Sequence, residues 1–171
     1  STRDMTLAGV GVTLDPITVG GDLSINAGTG VLAQGASDAM RVTGTTTLSA
    51  GSMALSAANR LDAAVALTTS TAGGATGAVA LNHTANLNLA ASSIAGDFTL
   101  TNAGNVTDSG ALAVSGAATI TLSPLHDLTL DTATNDFVGA VTVTSARHVT
   151  LDDANGLLFG ALTAAGNVDV D

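Results

Sequence analysis

The chain contains no cysteine, lysine, glutamate, tryptophan or tyrosine. Without cysteine it has neither disulfide staples nor thiolate metal ligands, and its compartment is left open. With no Lys or Glu and a single Gln (Gln34), most strong surface helix formers are missing. The four cations are all Arg and the fourteen anions are all Asp, which gives a net charge of −10 and a pI near 4.1. A chain this acidic lacks the basic face that phosphate contacts require, so it is not expected to bind nucleic acid. Nor is it expected to insert in a membrane, because no apolar run approaches the roughly 18 residues of a spanning helix. Disorder is excluded by a hydrophobic content of 46% and a positive mean hydropathy of +0.45.

What the chain does contain is short alternation. Apolar–x–apolar triplets recur from end to end: Val12-Thr13-Leu14, Ile17-Thr18-Val19, Leu23-Ser24-Ile25, Met53-Ala54-Leu55, Val65-Ala66-Leu67 and Val79-Ala80-Leu81. They continue through Leu87-Asn88-Leu89, Phe98-Thr99-Leu100, Leu112-Ala113-Val114, Ile120-Thr121-Leu122 and Leu128-Thr129-Leu130 to Val141-Thr142-Val143, Val149-Thr150-Leu151 and Val168-Asp169-Val170. A period of two predicts strands with one buried face, each about three to five residues long. Gly, Asn, Asp and Ser between them supply turns.

A longer period lies above the first. Gly77–Leu81 with Asn86–Leu89 is followed by Gly96–Leu100 with Asn105-Val106, then by Ile120–Leu122 with Asp127–Leu130. Val141–Val143 with His148–Leu151, and Leu162–Ala164 with Asn167–Val170, complete the series. A unit of roughly 19–23 residues is too small to bury its own triplets, so it must stack on its neighbours. The expected fold is all-β: a right-handed parallel β-helix (β-solenoid) of about 7–8 coils in a single domain over residues 1–171. Residues 1–20 form an irregular first coil, and no clear register is legible across 56–76. Strands about 4.8 Å apart make this a rod roughly 35–40 Å long. A β-sandwich is the alternative, but hairpin signals are scarce. The start, Ser1-Thr2-Arg3-Asp4, is neither an initiator Met nor a signal peptide, and suggests an excerpt of a longer chain.

The segments Gly96–Ala117 and Asn135–Leu158 resemble the repeats of filamentous haemagglutinin-like exoproteins of two-partner secretion and of related autotransporter adhesins. The resemblance covers most of residues 20–171 and rests on composition and rhythm. It implies a β-helical stalk, secreted to or displayed on a Gram-negative cell surface. The secretion domain found at that family's N-terminus is not recognisable here.

Several residue sets invite a chemical reading. Aligning the units places Thr99, Thr121, Thr142 and Thr163 in one outward column and Thr107, Thr129 and Thr150 in another. Such an array suits either ice matching or plain cross-strand Thr contacts, and the second is the simpler reading. Asp131, Asp152 and Asp171 follow the second triplet of successive units. A calcium site needs 6–8 oxygens, so Asx-type turns are the expected role of this column. Asn86, Asn105, Asp127, His148 and Asn167 precede that triplet and read as an Asn-type ladder. Around it, His126, Asp127, Arg147, His148, Asp152 and Asp153 form the most enzyme-like group. Paired carboxylates serve glycoside hydrolysis, yet the chain lacks a His-Gly pair, Lys and sugar-stacking Trp or Tyr. His83 stands alone and reads as structural.

No catalytic, cofactor or metal residue is assigned. The expected role is a non-enzymatic stalk whose partners are its own coils, identical subunits end to end, or a host or matrix surface ligand. A self-stacking extracellular filament is the alternative, and a polysaccharide-active enzyme ranks third.

Overall fold

A computed structural model describes residues 3–171. Among the described residues, strands make up nearly all regular structure, with one 3-10 turn at Ala72–Gly74. Every strand pairing is parallel. Successive strands on one side of the molecule belong to successive turns of the chain, so the chain winds as a β-solenoid of about eight coils.

The first face carries nine strands: Met5–Ala8, Leu23–Asn26, Thr46–Ala50, Ala64–Thr69, Leu87–Leu89, Val106–Asp108, Leu128–Leu130, Val149–Leu151 and Val168–Val170. The second carries eight: Val12–Leu14, Val31–Gln34, Ser52–Leu61, Val79–His83, Phe98–Asn102, Ala118–Leu122, Val141–Ser145 and Phe159–Leu162. Eight spacings of about 4.8 Å along the first face give a rod near 38 Å long. Met5 pairs with Leu23, a step of 18 residues, and Val65 with Leu89, a step of 24. The second face reaches 26 between Met53 and Val79.

Each expected triplet from Val12 to Leu151 lies in a strand with its flanking apolar residues turned inward, and Val168–Val170 is a strand as well. Leu87, Val106, Leu128 and Val149 stack in one fully buried column, and Leu89, Leu130 and Leu151 contribute to the next. Burying a Leu or Val completely contributes about 1.5–3 kcal/mol. No single unit holds enough of these residues to stand alone, so the coils are cooperative by construction.

Two expectations are corrected, and one gap in the register is explained. Ser52–Leu61 is ten residues long rather than three to five, because it runs from the second face around a corner onto a third. The first coil, expected to be irregular over residues 1–20, is regular over its described part: Met5–Ala8, Val12–Leu14 and Ile17–Val19 pair with the coil below over residues 23–42, while residues 1 and 2 lie outside the described residues. The stretch 56–76 is illegible because the cross-section changes there. In the first three coils the third side follows the second face, at Ile17–Val19, Met40–Val42 and the end of Ser52–Leu61. In later coils it precedes the second face, at Ser92–Ile94, Leu112–Val114 and Asp136–Phe137.

Moving a side of the prism orphans backbone groups, and buried polar side chains take them up. Asn59 Oδ1 accepts from Met40 N–H (2.8 Å) on the coil above, and its Nδ2 donates to the Asn82 carbonyl (3.1 Å) on the coil below. His83, fully buried, occupies the place where the third side stops. Leu61 N–H donates to its Nε2 (3.0 Å), and its Nδ1–H donates to Asn102 Oδ1 (2.8 Å), which fixes the neutral Nδ1-protonated tautomer. Where the new side begins, Ser92 Oγ accepts from Leu67 N–H and Thr69 Oγ1 from Ala95 N–H, each at 3.0 Å. The reading of His83 as structural holds.

A column of glycines at the corner before the second face completes the frame. Gly51 N–H donates to Gly30, Gly77 to Gly51, Gly96 to Gly77 and Gly116 to Gly96. A Cβ on Gly96 would lie 2.3 Å from the Thr76 carbonyl oxygen, and one on Gly139 2.3 Å from that of Gly116. Only glycine lets successive coils approach this closely.

Candidate functional site

The ladder corner is the most chemically loaded part of the surface. Asn105 N–H donates to Asn86 Oδ1 (3.0 Å), Asp127 N–H to Asn105 Oδ1 (3.0 Å), His148 N–H to Asp127 Oδ1 (3.2 Å) and Asn167 N–H to His148 Nδ1 (3.0 Å). Each side chain caps the backbone of the equivalent residue one coil on. The expected ladder is therefore present over all five residues, and it has an upstream counterpart. Asp22 N–H donates to Asp4 Oδ1 (2.9 Å) and Thr45 N–H to Asp22 Oδ1 (2.7 Å). What the position requires is an acceptor one or two bonds from Cβ, and Asn, Asp and His Nδ1 all supply it. The acceptor role leaves the His148 proton on Nε2.

Within this corner Arg147 Nε donates to Asp127 Oδ1 (2.7 Å) and its Nη2 to Oδ2, a bidentate pair. The Arg147 guanidinium holds the Asp127 carboxyl below its ordinary range, aided by the His148 N–H, against an opposing push from desolvation. Asp127 is thus an ionised carboxylate with both oxygens engaged, unsuited to act as a general acid. Arg147 N–H also donates to the His126 carbonyl (2.7 Å), so the expected neighbours His126–Arg147 and Asp127–His148 are both found.

The structure does not bring all six residues of the enzyme-like group together. Asp152 and Asp153 lie beyond the far end of Val149–Leu151, whereas His148 precedes it. Four residue steps of extended chain take His148 to Asp152, about 13 Å. Asp153 is itself committed: its Oδ1 accepts from Phe137 N–H (2.9 Å) and its Oδ2 from Gly156 N–H (2.8 Å).

Asp152 belongs to the acidic column instead. Leu130 pairs with Leu151 and Leu151 with Val170, which stacks Asp131, Asp152 and Asp171 directly after them. Desolvation pushes the Asp152 carboxyl up, followed by repulsion from Asp171, Asp131, Asp169 and Asp108. Asp108 stands beside the column rather than in it, one position earlier in the register of Leu89, and caps its first member. Its carboxylate accepts from Asp131 N–H (3.2 Å) and Asn135 Nδ2 (2.7 Å). The signal for Asp108 was its place after Val106-Thr107, a triplet with Asp in the third position. Among the described residues, no group of three or more His or Asp side chains converges to hold a metal ion.

One Thr column is confirmed and one is corrected. Thr107, Thr129 and Thr150 are register partners, bounded by Asn88 and Asp169. In the other column Thr119, not Thr121, lies between Thr99 and Thr142. Ala118–Leu122 pairs Phe98 with Ala118 and Leu100 with Ile120, so the triplet at 120–122 is displaced by two residues. A two-residue slip keeps every side chain on its face, and the alternation cannot detect it. Thr121 instead partners Thr101, with its hydroxyl 2.6 Å from that of Thr144. Thr163 lies just past the strand Phe159–Leu162. The outward face is not flat. Ala80 interrupts it, and a shallow hollow of about 280 Å³ lined by Ser56, Ala80, Asn82, Thr99 and Thr101 indents it.

Fold and surface together define a repeat protein of the β-solenoid class, in which the polar side chains best suited to chemistry serve coil-to-coil hydrogen bonding. The chain belongs to a family of repeats of unknown function (DUF5649), which matches it twice, over residues 2–75 and 76–144. The boundary between the two matches, at residues 75 and 76, falls within the stretch 59–95 over which the cross-section changes. No curated protein and no solved structure is detectably similar to it.

Proposed function

We propose that the chain is a non-enzymatic structural module, a stiff β-helical spacer in a bacterial exoprotein secreted to or displayed on a Gram-negative surface. The observation that carries this reading is the corner ladder. Asp127 and His148, two members of the enzyme-like group, each spend an acceptor on the next coil's backbone, as Asn86 and Asn105 do in the coils before them. A continuous lattice of this kind makes a rod that keeps its shape under load. The acidic, Lys-free exterior opposes non-specific adhesion. The rhythm shared with filamentous haemagglutinin-like repeats supports the extracellular setting, where such a rod holds a distal binding region away from the cell.

Two measurements test the reading. An antibody raised against the purified chain should label intact cells of the source organism; labelling only after permeabilisation overturns the surface assignment. The purified chain should turn over no acidic or neutral glycan. Turnover that is lost in Asp152→Asn would replace the spacer with a polysaccharide-active enzyme.

A further inference from the structure

The corner ladder is interrupted in mid-rod, and the interruption leaves a hollow. Among the described residues, Asp22 caps the Thr45 amide, and capping resumes with Asn86 on Asn105. The coil between them brings Ala63 and Ala64 to this corner. Asn88 pairs with Ala64, and the same register carried two residues back sets Asp62 opposite Asn86. Asp62 thus stands in the ladder row, but its Oδ1 accepts from Arg60 Nε (2.7 Å) on the third side. With that carboxylate spent on an ion pair, two alanine methyls do not fill the row. A depression of about 320 Å³ opens between Asp62, Ala63 and Ala64 on one coil and Asn86 and Asn88 on the next, and it reaches Asn105 and Thr107.

The hollow contains an unmet polar group. Asn88 Oδ1 is closed off from solvent and has no hydrogen-bond partner. The outward column continues from it as Thr107, Thr129 and Thr150, so a carboxamide stands where later coils place a hydroxyl. A half-turn about χ2 exchanges Oδ1 with Nδ2, and a group that both donates and accepts satisfies Asn88 in either orientation. Asn86 and Asn105 spend their Oδ1 atoms on the ladder, which leaves the Nδ2 of each to donate. Asp62 supplies the single carboxylate of the lining.

These groups select an occupant by its chemistry. A calcium ion needs about 6–8 oxygens, and the hollow has one carboxylate. An anion meets Asp62 and a chain of net charge −10. A flat aromatic base has nothing to stack on, since Trp and Tyr are absent and no Phe lines the hollow. Mixed donors and acceptors suit hydroxyls, each of which does both. We propose that this hollow is a binding subsite for a neutral sugar residue. Its vicinal hydroxyls meet the Asn86, Asn88 and Asn105 carboxamides and the Asp62 carboxylate, and the C–H face of its ring lies against the Ala63 and Ala64 methyls. The volume is at the low end of small-molecule sites, about 300–1,000 Å³, so the subsite holds a short piece of a glycan that continues into solvent. Without an aromatic platform, a single ring binds in the millimolar range. One carboxylate already paired with Arg60 provides no acid–base couple, so the sugar is held and released unchanged. The subsite adds a lateral contact to a rod otherwise read as a spacer, and it is independent of where the rod is displayed.

The test is an NMR titration of the isotope-labelled chain with the methyl glycosides of glucose, galactose, mannose and N-acetylglucosamine. At least one glycoside should shift the side-chain amide signals of Asn86, Asn88 and Asn105, and the backbone amides of Asp62, Ala63 and Ala64, along a saturable curve. The backbone amides of Thr99 and Thr101, at the hollow on the other face, should stay fixed. Asn88→Thr matches the Thr column and removes the unmet carbonyl. It should keep the far-UV β signal and bind at least about tenfold more weakly, because the carboxamide contact is gone. Ala64→Leu fills the hollow while leaving every polar group in place, and it should weaken binding as much. If no glycoside of the panel moves these signals at tens of millimolar, the proposal is overturned. Asn88→Thr binding as tightly as the wild type also overturns it. So do shifts at the same groups with calcium chloride or sodium sulfate but with no sugar, which would make the hollow an ion site.

Discussion

At the residue scale, the same side-chain types serve opposite purposes depending on what surrounds them. His83 is buried with both ring nitrogens in use, one for Leu61 N–H and one for Asn102 Oδ1. Replacing it with Leu keeps the volume apolar but strands a donor and an acceptor, each costing about 1–3 kcal/mol. Urea denaturation of His83→Leu should show a loss of roughly 2–6 kcal/mol on that basis. A variant within half a kcal/mol of wild type would show that the junction does not depend on this ring. The carboxylates predict a pH profile. Asp152 is held above its ordinary value of 3.8, so the folded state binds its proton more tightly than the unfolded chain does. The charged form is a burden at neutral pH that lifts as pH falls through the folded value. Asp127 is held below 3.8, so its contribution is present above the unfolded value and is lost as pH falls through the lower folded one. The thermal midpoint should therefore rise from neutral towards mildly acidic pH, then fall below about pH 4, near the unfolded carboxylate pKa. Asp152→Asn should raise the midpoint at pH 7 and flatten the acidic rise. A profile that falls monotonically from pH 7 in both proteins contradicts this account of the column.

At the element scale, the strands were legible in the sequence because alternation is a direct image of a two-faced ribbon. Leu128-Thr129-Leu130 and Val149-Thr150-Leu151 place their apolar residues inward and their Thr outward as the pattern states. Strands without that pattern were not legible. Val31–Gln34 opens on an exposed Val, and Ser92–Ile94 has Ser at an inward position where it serves a backbone amide. Register was legible only to within a pleat, as the exchange of Thr119 for Thr121 shows. The glycine column was visible only as turn residues, because the reason for it is a contact with another coil. That contact yields a prediction. Gly139→Ala places a methyl 2.3 Å from the Gly116 carbonyl oxygen, a rigid neighbour. Overpacking of this order costs about 1–3 kcal/mol. Gly156→Ala, where nothing lies within 4 Å, isolates the separate cost of its φ of +136°. If Gly139→Ala unfolds at the wild-type denaturant midpoint, the coils have more slack at that corner than the structure shows.

At the scale of the whole molecule, stability is distributed along an axis. Each coil contacts only the one before and the one after, so local opening is set by how many neighbours a coil has. The coil over 157–170 has one, and its inward residues are half in solvent. The coils around Leu87–Leu130 have two, and their inward residues are fully buried. Between them and the first three coils lies the changeover at 59–95, where Asn59, His83, Ser92 and Thr69 replace backbone pairing with side-chain hydrogen bonds. It coincides with the boundary between the two family repeats. This arrangement predicts a gradient in amide hydrogen exchange. In dilute monomer, protection should be least at 157–170, greatest in the strands between Leu87 and Leu130, and should step down at the changeover if the two repeats open as separate units. Uniform protection from end to end would mean that the rod opens as one cooperative unit, with the side-chain bridges at the changeover coupling its two repeats as tightly as backbone ladders couple the rest.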